Sequence, residues 1–497
     1  MVDIVEDAPA TQDAAPGGAV DVGGRRATLR LVAHGVRDGG AVLASDPDAI
    51  AWLGALHVGR LDDVRAVEDV AAAVADLGVA GYHAGVPAVG GCLVVDDVYR
   101  GTSLAHTLVV GLASTDAEGD AVAAGPAEGR PALGTAAARP AWIDEVTADA
   151  AERLPRAASG DELAAHVLRV AGSAAVADRS ALTDRLDRYA RGHTVLAAPE
   201  DAGVVRLAEG DGRGVAVSLD SNPRFALLNP YLGAQLALGE AHRNVAATGA
   251  RPVASVAALA GGDPDDPAVG WQLDEMLLGL DEGCAALRTP PTGVGAAAHP
   301  AVEGRTIHPT PVVGVLGVVE DVADRTPMGF VHPGDAVVLL GETREELSGS
   351  VWADVVHGHL GGMPPAPELD AERALAGILA DAARRRLLTS AHALSGGGLA
   401  QALVESALRH DRGVALTLPA GDPTVQLFAE SAARVLVSVS GQHHGELVAL
   451  CRAAGVPLER LGEVIEEPVL EVQRQFTLGL AEVRAAWAAP LRAVWEG

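Results

Sequence analysis

Apolar residues follow two different spacings along the first quarter of the chain. The stretch LDDVRAVEDVAAAVADLG (61–78) has apolar residues at helical spacing, whereas CLVVDDV (92–98) and HTLVVGLA (106–113) are apolar runs of strand length. This pattern predicts a folded α/β unit over residues 24–113.

Segments with strand-like and helix-like patterns alternate more regularly after residue 193. Strands are predicted over five apolar runs: HTVLAA (193–198), GVVRLAE (203–209), GVAVSLD (214–220), PVASVAALA (252–260) and TPVVGVLGVVEDV (310–322). Long helices are predicted over 232–249, as an amphipathic helix ending at Gly249, and over 269–287. Strands that alternate with helices indicate layered α/β domains.

A second region of alternating elements begins near residue 335. It contains DAVVLLGET (335–343), a predicted helix near 370–388, a glycine-rich turn, a predicted helix over 398–409 and VLVSVS (435–440). The organisation predicted from these patterns comprises six segments: a disordered tail (1–23), a first α/β unit (24–113), a Pro/Ala/Gly linker (114–141), a helical connector (142–190) and two domains (191–328 and 329–497).

An internal repeat indicates a duplication. GRRATLRLVAHG (24–35) aligns with 249–261, GVPAVGGCL (85–93) with 289–297, and SLAHTLVVGLA (103–113) with 308–317. The order is preserved, with one insertion of about 20 residues implied by this alignment. We therefore expect a truncated first copy of the domain that follows.

Composition and charge exclude several classes of protein. The net charge of −29 argues against nucleic acid or an anionic membrane as a partner. The acidic N-terminus is unlike a secretory signal, and no apolar run reaches the length of a membrane helix. The three cysteines are far apart, as expected in a reducing cytoplasm.

Lysine is absent, and asparagine occurs only at 222, 229 and 244. The first observation excludes a Walker A lysine, a Schiff base and a lysine general base. The second suggests that one short window of the chain needs an amide side chain.

The window around these asparagines holds the strongest candidate site. Asp201, Glu240 and Asn244 supply hard oxygen ligands suited to Mg²⁺ on a nucleotide phosphate, with Glu240 and Asn244 four residues apart on one helix. Nucleotide-binding candidates from the same window are Asp220, Asn222, Arg224 and Arg243. The alternative places Glu240 and Asn244 on a solvated helix face.

Two further segments could bind phosphate. Gly397 in SGGG (395–398) could present a backbone N–H at a helix start, although such a run is also an ordinary turn. In FAESAAR (428–434), Ser431 and Arg434 are candidates for a substrate phosphate, and a surface ion pair between Glu430 and Arg434 is the alternative.

Several motifs together resemble the synthetase subunit of phosphoribosylformylglycinamidine synthase. They are DRYARGHTVLAAPEDAG (187–203), NPYLGA (229–234), EAHRNVAATGARP (240–252), PTPVVGVLG (309–317), LLGETREE (339–346) and VHGHLGG (356–362). The resemblance implies α/β and α+β folds: AIR-synthetase-like N-terminal and C-terminal domains, preceded by a partial copy of the N-terminal domain.

The resemblance also implies an activity. In that family ATP activates the formyl amide of formylglycinamide ribonucleotide, and ammonia displaces phosphate to give an amidine. It implies Mg²⁺ with ATP or ADP, a glutaminase subunit that supplies ammonia, and a homodimer or synthetase partner. The positions matching Asp201, Glu240 and Asn244 resemble the metal ligands of an auxiliary nucleotide site.

The chain departs from the family pattern at functional positions. Ala393 and Gly396 stand where an aspartate and a glutamate are expected, Gly295 replaces an asparagine, and Cys92 replaces a glutamate. The family's catalytic histidine motif has no match here. Three interpretations stay open: a synthase of the family, a ligase for another amide, and a non-catalytic nucleotide-binding or structural paralogue.

Overall fold

The computed structural model describes residues 19–22, 25–113, 137–208, 210 and 212–496. The strands within these ranges form three sheets, of five, six and seven strands. Residues 1–18 of the predicted tail and 114–136 of the predicted linker lie outside the described residues. Among the described residues, no helix combines the length and apolar character that a membrane crossing requires.

The first unit, residues 19–113, is built on the five-stranded sheet. In chain order its elements are β1 (Ala19–Asp21), β2 (Arg26–His34), α1 (Gly39–Ala44), β3 (Ala49–Val58), α2 (Val64–Ala84), β4 (Ala88–Val95) and β5 (Leu104–Ala113). The sheet order is β1-β2-β5-β3-β4. The predicted tail was wrong for its last residues, because Ala19–Asp21 pair with β2 as an edge strand.

The connector that follows consists of short helices. They are α3 (Trp142–Ala148), α4 (Gly160–Ala171) and α5 (Ser180–Thr183). Leu163 and Val167 of α4 share a buried core with Trp352 and Phe428 of the last part of the chain. The connector therefore packs against the C-terminal module rather than spanning solvent.

The N-terminal module contains the six-stranded sheet and three helices. Its elements are β6 (Thr194–Leu196), β7 (Gly203–Arg206), β8 (Gly214–Asp220), α6 (Pro223–Leu228), α7 (Pro230–Ala247), β9 (Arg251–Gly261), α8 (Pro267–Leu287), β10 (Pro291–Ala298) and β11 (Thr310–Val319). The sheet order is β10-β9-β11-β8-β7-β6.

The C-terminal module contains the seven-stranded sheet, ordered β13-β15-β12-β16-β14-β17-β18. Its strands are β12 (Ala336–Leu340), β13 (Leu388–Ala393), β14 (Gly413–Leu416), β15 (Val435–Val439), β16 (Leu458–Ile465), β17 (Val469–Val472) and β18 (Phe476–Gly479). Its helices are α9 (Val351–His357), α10 (Leu369–Arg384), α11 (Gly398–Leu408), α12 (Pro423–Phe428), α13 (His444–Ala454) and α14 (Leu480–Glu496).

The first two sheets share one strand pattern. In each, a parallel pair joined by a 21-residue helix lies beside an antiparallel strand: β3-α2-β4 with β5, and β9-α8-β10 with β11. By this pattern β3 (Ala49–Val58), not residues 24–35, takes the place of β9, and β2 takes the place of β8. The first of the three repeat alignments was therefore wrong, because short apolar strands of similar composition are easily exchanged in a sequence alignment. The duplication itself stays a prediction.

The two sheets pack face to face. Leu29, Leu53 and Leu108 of the first sheet share a buried core with Val217 and Leu316 of the second. The apolar contact fixes the first unit over the N-terminal module, since burial of apolar area is the main favourable term in such packing. Strand β4 is thereby placed beside the residues that follow β8.

The sequence predicted that helix α7 is amphipathic, but the structure shows that it is not. Of its 18 residues, 15 are buried, because the helix lies between its own sheet and helix α10 of the C-terminal module. The first unit has only the six-residue α1 at the corresponding place, between β2 and β3. It therefore has no counterpart of the helix that carries Glu240 and Asn244.

Candidate functional site

A cavity of about 620 Å³ lies where the first unit, the connector and both modules meet. Its wall includes residues 90–96 of the first unit, 175–180 of the connector and 198–203 and 217–224 of the N-terminal module. Six of the predicted site residues line it: Asp201, Asp220, Asn222, Arg224, Glu240 and Asn244. The others, Arg243, Gly397, Ser431 and Arg434, do not.

One part of the wall brings Asp220, Glu240 and Asn244 together. The Asn244 amide Nδ2 donates to Asp220 Oδ1 at 3.1 Å, and the Ser218 hydroxyl donates to the other Asp220 oxygen. Burial raises the pKa of both carboxyl groups, and the negative charge of Asp220 raises the pKa of Glu240 further. A cation or a hydrogen-bond donor brought into the cavity here would stabilise the ionised forms.

Asp201 is engaged differently from the prediction. Its Oδ1 lies 2.6 Å from Nδ1 of His392, and its Oδ2 accepts a hydrogen bond from the Ala393 backbone N–H at 2.9 Å. Nε2 of His392 lies 2.8 Å from Glu405. Both ring nitrogens therefore face carboxylates, which is the environment of an imidazolium. Burial disfavours that charge, but Asp201 and Glu405 outweigh it and raise the pKa of His392 to about 10.

The predicted Mg²⁺ ligand set does not fit this arrangement. Both oxygens of Asp201 already have partners, one of them the N–H of Ala393, where the family pattern expects an aspartate. Within the described ranges, no group of three or more His, Cys, Asp or Glu side chains has the geometry to hold a metal ion. The assignment of Asp201, Glu240 and Asn244 as Mg²⁺ ligands stays a prediction, and in this structure Asp201 is paired with His392 instead.

Arg243 joins the two modules. Its guanidinium forms an ion pair with Glu372 of α10 and donates to the Leu394 carbonyl at 2.9 Å. The two side chains are 5 % and 1 % exposed, so no solvent-accessible ligand reaches them. Its prediction as a nucleotide-binding residue was wrong, because the guanidinium of Arg243 instead forms the ion pair between α7 and α10.

Gly397 was predicted to offer its backbone N–H to a phosphate. That N–H donates instead to Glu430 Oε1 at 2.8 Å, and the same oxygen accepts from Val351 N at 2.8 Å. The Glu430 carboxylate thus occupies the starts of α9 and α11, where a ligand anion would otherwise bind. Burial raises its pKa to about 7 against the opposing effect of the two N–H donors.

Arg434 and Ser431 are structural. Arg434 is fully buried and donates to the carbonyls of Ser431 and Ala429 and to the Thr343 hydroxyl. The Ser431 hydroxyl accepts from Arg344 N at 3.0 Å. Both alternatives from the sequence were wrong, the substrate phosphate and the surface pair with Glu430, because α12 ends at Phe428 and this segment is buried.

Two of the three asparagines are helix caps. The Asn222 side chain accepts from Phe225 N at the start of α6, and that of Asn229 accepts from Leu232 N at the start of α7. Asn244 is the one that contacts the cavity carboxylates. The clustering of asparagine in this window therefore has mainly a folding explanation.

Six arginines of the described part of the chain line the cavity: Arg179, Arg188, Arg224, Arg409, Arg484 and Arg492. Arg224 lies 3.4 Å from both Asp96 of the first unit and Asp354 of the C-terminal module. Arg179, which the sequence analysis missed, lies in the connector and donates to the Leu93 carbonyl at 3.3 Å. Within the described ranges Arg179 forms no ion pair, yet its charge influences Asp220 and Glu240. No local motif marks Arg179, because packing of the connector places it there.

The fold and the cavity define a pair of AIR synthase-related modules. The family described as AIR synthase related protein, N-terminal domain, matches residues 199–319, and the corresponding C-terminal domain family matches residues 332–475. The phosphoribosylformylglycinamidine synthase subunit PurL of Cutibacterium acnes is 53 % identical over 362 residues, which are 73 % of this chain and 48 % of the relative. PurL of Nocardioides sp. is 53 % identical over 356 residues, 72 % of this chain and 47 % of the relative.

The chain belongs to the AIR synthase-related family and, within it, to the PurL group of phosphoribosylformylglycinamidine synthase subunits. It spans about half the length of these relatives. The structure of T. maritima PurL complexed with ADP has the same fold, with a TM-score of 0.58 at 17 % identity, covering 92 % of each chain. T. maritima PurL complexed with FGAR aligns with a TM-score of 0.54 at 21 % identity, covering 68 % of this chain and 56 % of that one.

Proposed function

We propose that the protein acts in purine biosynthesis as a PurL-type component of a phosphoribosylformylglycinamidine synthase. The reaction is the ATP-dependent amidation of formylglycinamide ribonucleotide with ammonia, giving the amidine, ADP and phosphate. The observation that carries the proposal is the cavity lined by Asp220, Glu240 and Asn244 within the module that matches the family. Relatives named as PurL, and a related fold solved with ADP, support it.

The cavity is the proposed nucleotide site. Arg179 and Arg492 line the cavity without a carboxylate partner among the described residues, so they are the cations that an incoming phosphate would meet. Arg179 is the one whose charge also acts on Asp220 and Glu240. Glu240 and Asn244 face the same space from one side of α7. Mg²⁺ is not assigned to Asp201, because His392 already neutralises that carboxylate. Any divalent-cation requirement would instead depend on Asp220 and Glu240.

A second function is favoured by a specific observation. Asp201, Arg243, Gly397 and Arg434 are all used in internal contacts, and the first unit has no counterpart of α7. A protein that has lost catalysis but kept its scaffold would show this pattern. The alternative is therefore a non-catalytic paralogue that assembles with a complete synthetase or with a second copy of itself.

The partners follow from the reaction. Among the described residues no cysteine lies in a nucleophile site: burial raises the pKa of Cys92 to about 12, and Cys284 and Cys451 are buried. We therefore propose that ammonia comes from a separate glutaminase subunit, in the cytoplasm where the purine precursors are made. A ligase acting on another amide would need the same ammonia supply.

Two measurements test the proposal. Isothermal titration calorimetry with ADP, with and without MgCl₂, should show binding that Arg179→Met and Glu240→Gln each weaken at least tenfold. Arg65→Met, at an exposed position on α2 outside the cavity, should bind like the wild type. No heat at millimolar ADP in the wild type would exclude every ATP-dependent version.

The second measurement is ADP release with formylglycinamide ribonucleotide and ammonium chloride, with and without a full-length PurL. Turnover by the chain alone supports the synthase. Nucleotide binding without turnover, together with co-elution with the full-length PurL, supports the paralogue. Turnover only with a different amide would assign the chain to a new substrate.

A further inference from the structure

Histidines gather where the first sheet meets the second. His57 of β3 and His106 of β5 lie on the inner face of the first sheet and are 0 % and 1 % exposed. Their ring centroids are 6.2 Å apart, and the ring of Tyr99 lies 5.3 Å from that of His57. His299, which follows β10 of the second sheet, is close enough to influence both.

These imidazoles have few hydrogen-bond partners. His57 Nε2 lies 2.9 Å from the Ser221 hydroxyl, but His57 Nδ1 and both ring nitrogens of His106 are buried without a partner among the described residues. At His106 a neutral imidazole leaves one donor unpaired, whereas an imidazolium leaves two donors and a full charge; at His57 protonation adds an unpaired donor at Nδ1 and a full charge. The geometry therefore tolerates only the neutral rings.

The surroundings offer no negative charge to these two rings. The titratable groups acting on His106 are His57, His34 and His299, and the one acting on His57 is His299. The hydroxyl of Tyr99 is bonded to Thr310 at 2.6 Å, and the Asp96 carboxylate influences Tyr99 but neither imidazole. Burial, followed by His299, lowers the pKa of His57 to about 3, and burial lowers that of His106 well below its ordinary value.

We infer that docking of the first sheet onto the second is a proton-sensitive contact: protonation of His57 and His106 undocks the first unit and opens the cavity. The link to the cavity is direct. Ser221, the partner of His57, lines it, and residues 90–95 of β4 form part of its wall. The inference depends on the inter-sheet contact alone and holds whichever function the cavity has.

The direction of the effect follows from linkage. Both groups have a lower pKa docked than free, so their contribution is fully present above pH 6.5 and is lost as the pH falls toward the docked value. Each imidazole lowers the docking equilibrium constant about tenfold per pH unit in that window, and the pair about a hundredfold. Mild acid should therefore open the first unit before it unfolds the C-terminal module.

Hydrogen–deuterium exchange of the full chain between pH 7.5 and 5.0, corrected for intrinsic exchange rates, tests this inference. Opening of β2, β3 and β5 should increase at least a hundredfold at pH 5.0, with a slope to which His57 and His106 contribute nearly two protons, while β12 and β15 keep their protection. Strands β3 and β5 that open independently of pH, or only together with the C-terminal module, would overturn the inference.

Variants distinguish the protonation of His57 and His106 from other effects of low pH on the protein. The double variant His57→Asn and His106→Leu keeps a partner for Ser221 and removes the two fully buried imidazoles, so the pH slope of its opening should be smaller than that of the wild type by nearly two protons. His299 and His308, whose pKa values burial also lowers, keep the remaining pH dependence. His83→Gln, at an exposed position of the same unit, should respond like the wild type. If the double variant does not fold, His106→Leu alone should lower the wild-type slope by about one proton, and an unchanged slope contradicts the inference. ADP binding at pH 7.5 is a separate readout, so failure of the proposed function leaves this test intact.

Discussion

Nδ1 of His392 lies 2.6 Å from the Asp201 carboxylate, and this contact joins the N-terminal module to the C-terminal module beside the cavity. Both side chains are less than 10 % exposed. The second ring nitrogen is held by Glu405, so one imidazolium serves two carboxylates. The partner of Asp201 is thus a positive charge supplied by the chain itself, on the residue before Ala393, where the family pattern predicted an aspartate.

Replacing His392 with glutamine should be strongly destabilising. The variant leaves Asp201 buried without its counter-charge, and breaking a buried pair from one side costs about 3–5 kcal/mol in the free energy of unfolding. Urea denaturation at pH 7.5 measures it. The exposed pair Arg385–Glu446 is the control, and Arg385→Gln should cost less than about 1 kcal/mol. If the two variants lowered the free energy of unfolding equally, the buried pair would not contribute specifically to docking of the two modules.

Arg434→Met should separate folding from binding. All the acceptors around Arg434 are internal, so the variant should lose about 3 kcal/mol or more of stability. Its affinity for ADP, per folded molecule, should match the wild type, whereas Arg179→Met should show weaker binding with nearly unchanged stability. Calorimetry and thermal unfolding of the same preparations give both quantities. If Arg434→Met bound ADP more weakly while keeping its full stability, the predicted role of Arg434 in phosphate binding would be supported again.

Asn229→Ala should lower the free energy of unfolding by about 1 kcal/mol, because it removes the side-chain cap of α7. Asn229→Asp should recover most of the loss, since a carboxylate accepts the same hydrogen bond at a helix start. Chemical denaturation measures both. If alanine and aspartate are equally destabilising, the cap is not what the amide contributes.

Gly91→Ala should disrupt the first sheet. The residue has a φ of 141°, and an added Cβ would lie 2.0 Å from the Gly54 carbonyl oxygen of the neighbouring strand β3. Left-handed strain and the clash together should cost about 3 kcal/mol or more. Gly377→Ala in α10 is a matched control of opposite sign, since nothing lies within 4 Å and alanine favours a helix by about 0.5–1 kcal/mol. Thermal unfolding distinguishes them.

The elements themselves were largely readable from the sequence. The spacing of apolar residues predicted α2, α8 and α10 and the strands β4, β5, β8, β9 and β11 near their observed bounds. Such spacing is a local property of the chain, so it does not depend on the fold. The motifs also led to the PurL group, to which the relatives assign the chain.

The site was less readable because it depends on pairing between distant parts of the chain. Glu240 and Asn244 share a helix face, which the sequence determines, and both reach the cavity. Whether Arg243 or Arg434 faces a ligand or another residue depends on Glu372, Thr343 and the carbonyls that the modules bring together. Arg179 is the opposite case: no local motif marks it as a ligand-binding residue, and only the packing of the connector places it at the cavity.

The sequence by itself therefore determined the longer helices and several strands, the family and the three polar side chains of α7 and β8 at the cavity wall. The tertiary structure decided which other charges are free. Asp201, Arg243 and Glu430 have the chemistry of ligand-binding groups, but a buried charge is costly without a partner, and in each case the fold supplies that partner from a residue far away in the chain. A candidate residue's type is local information, whereas its availability depends on long-range packing.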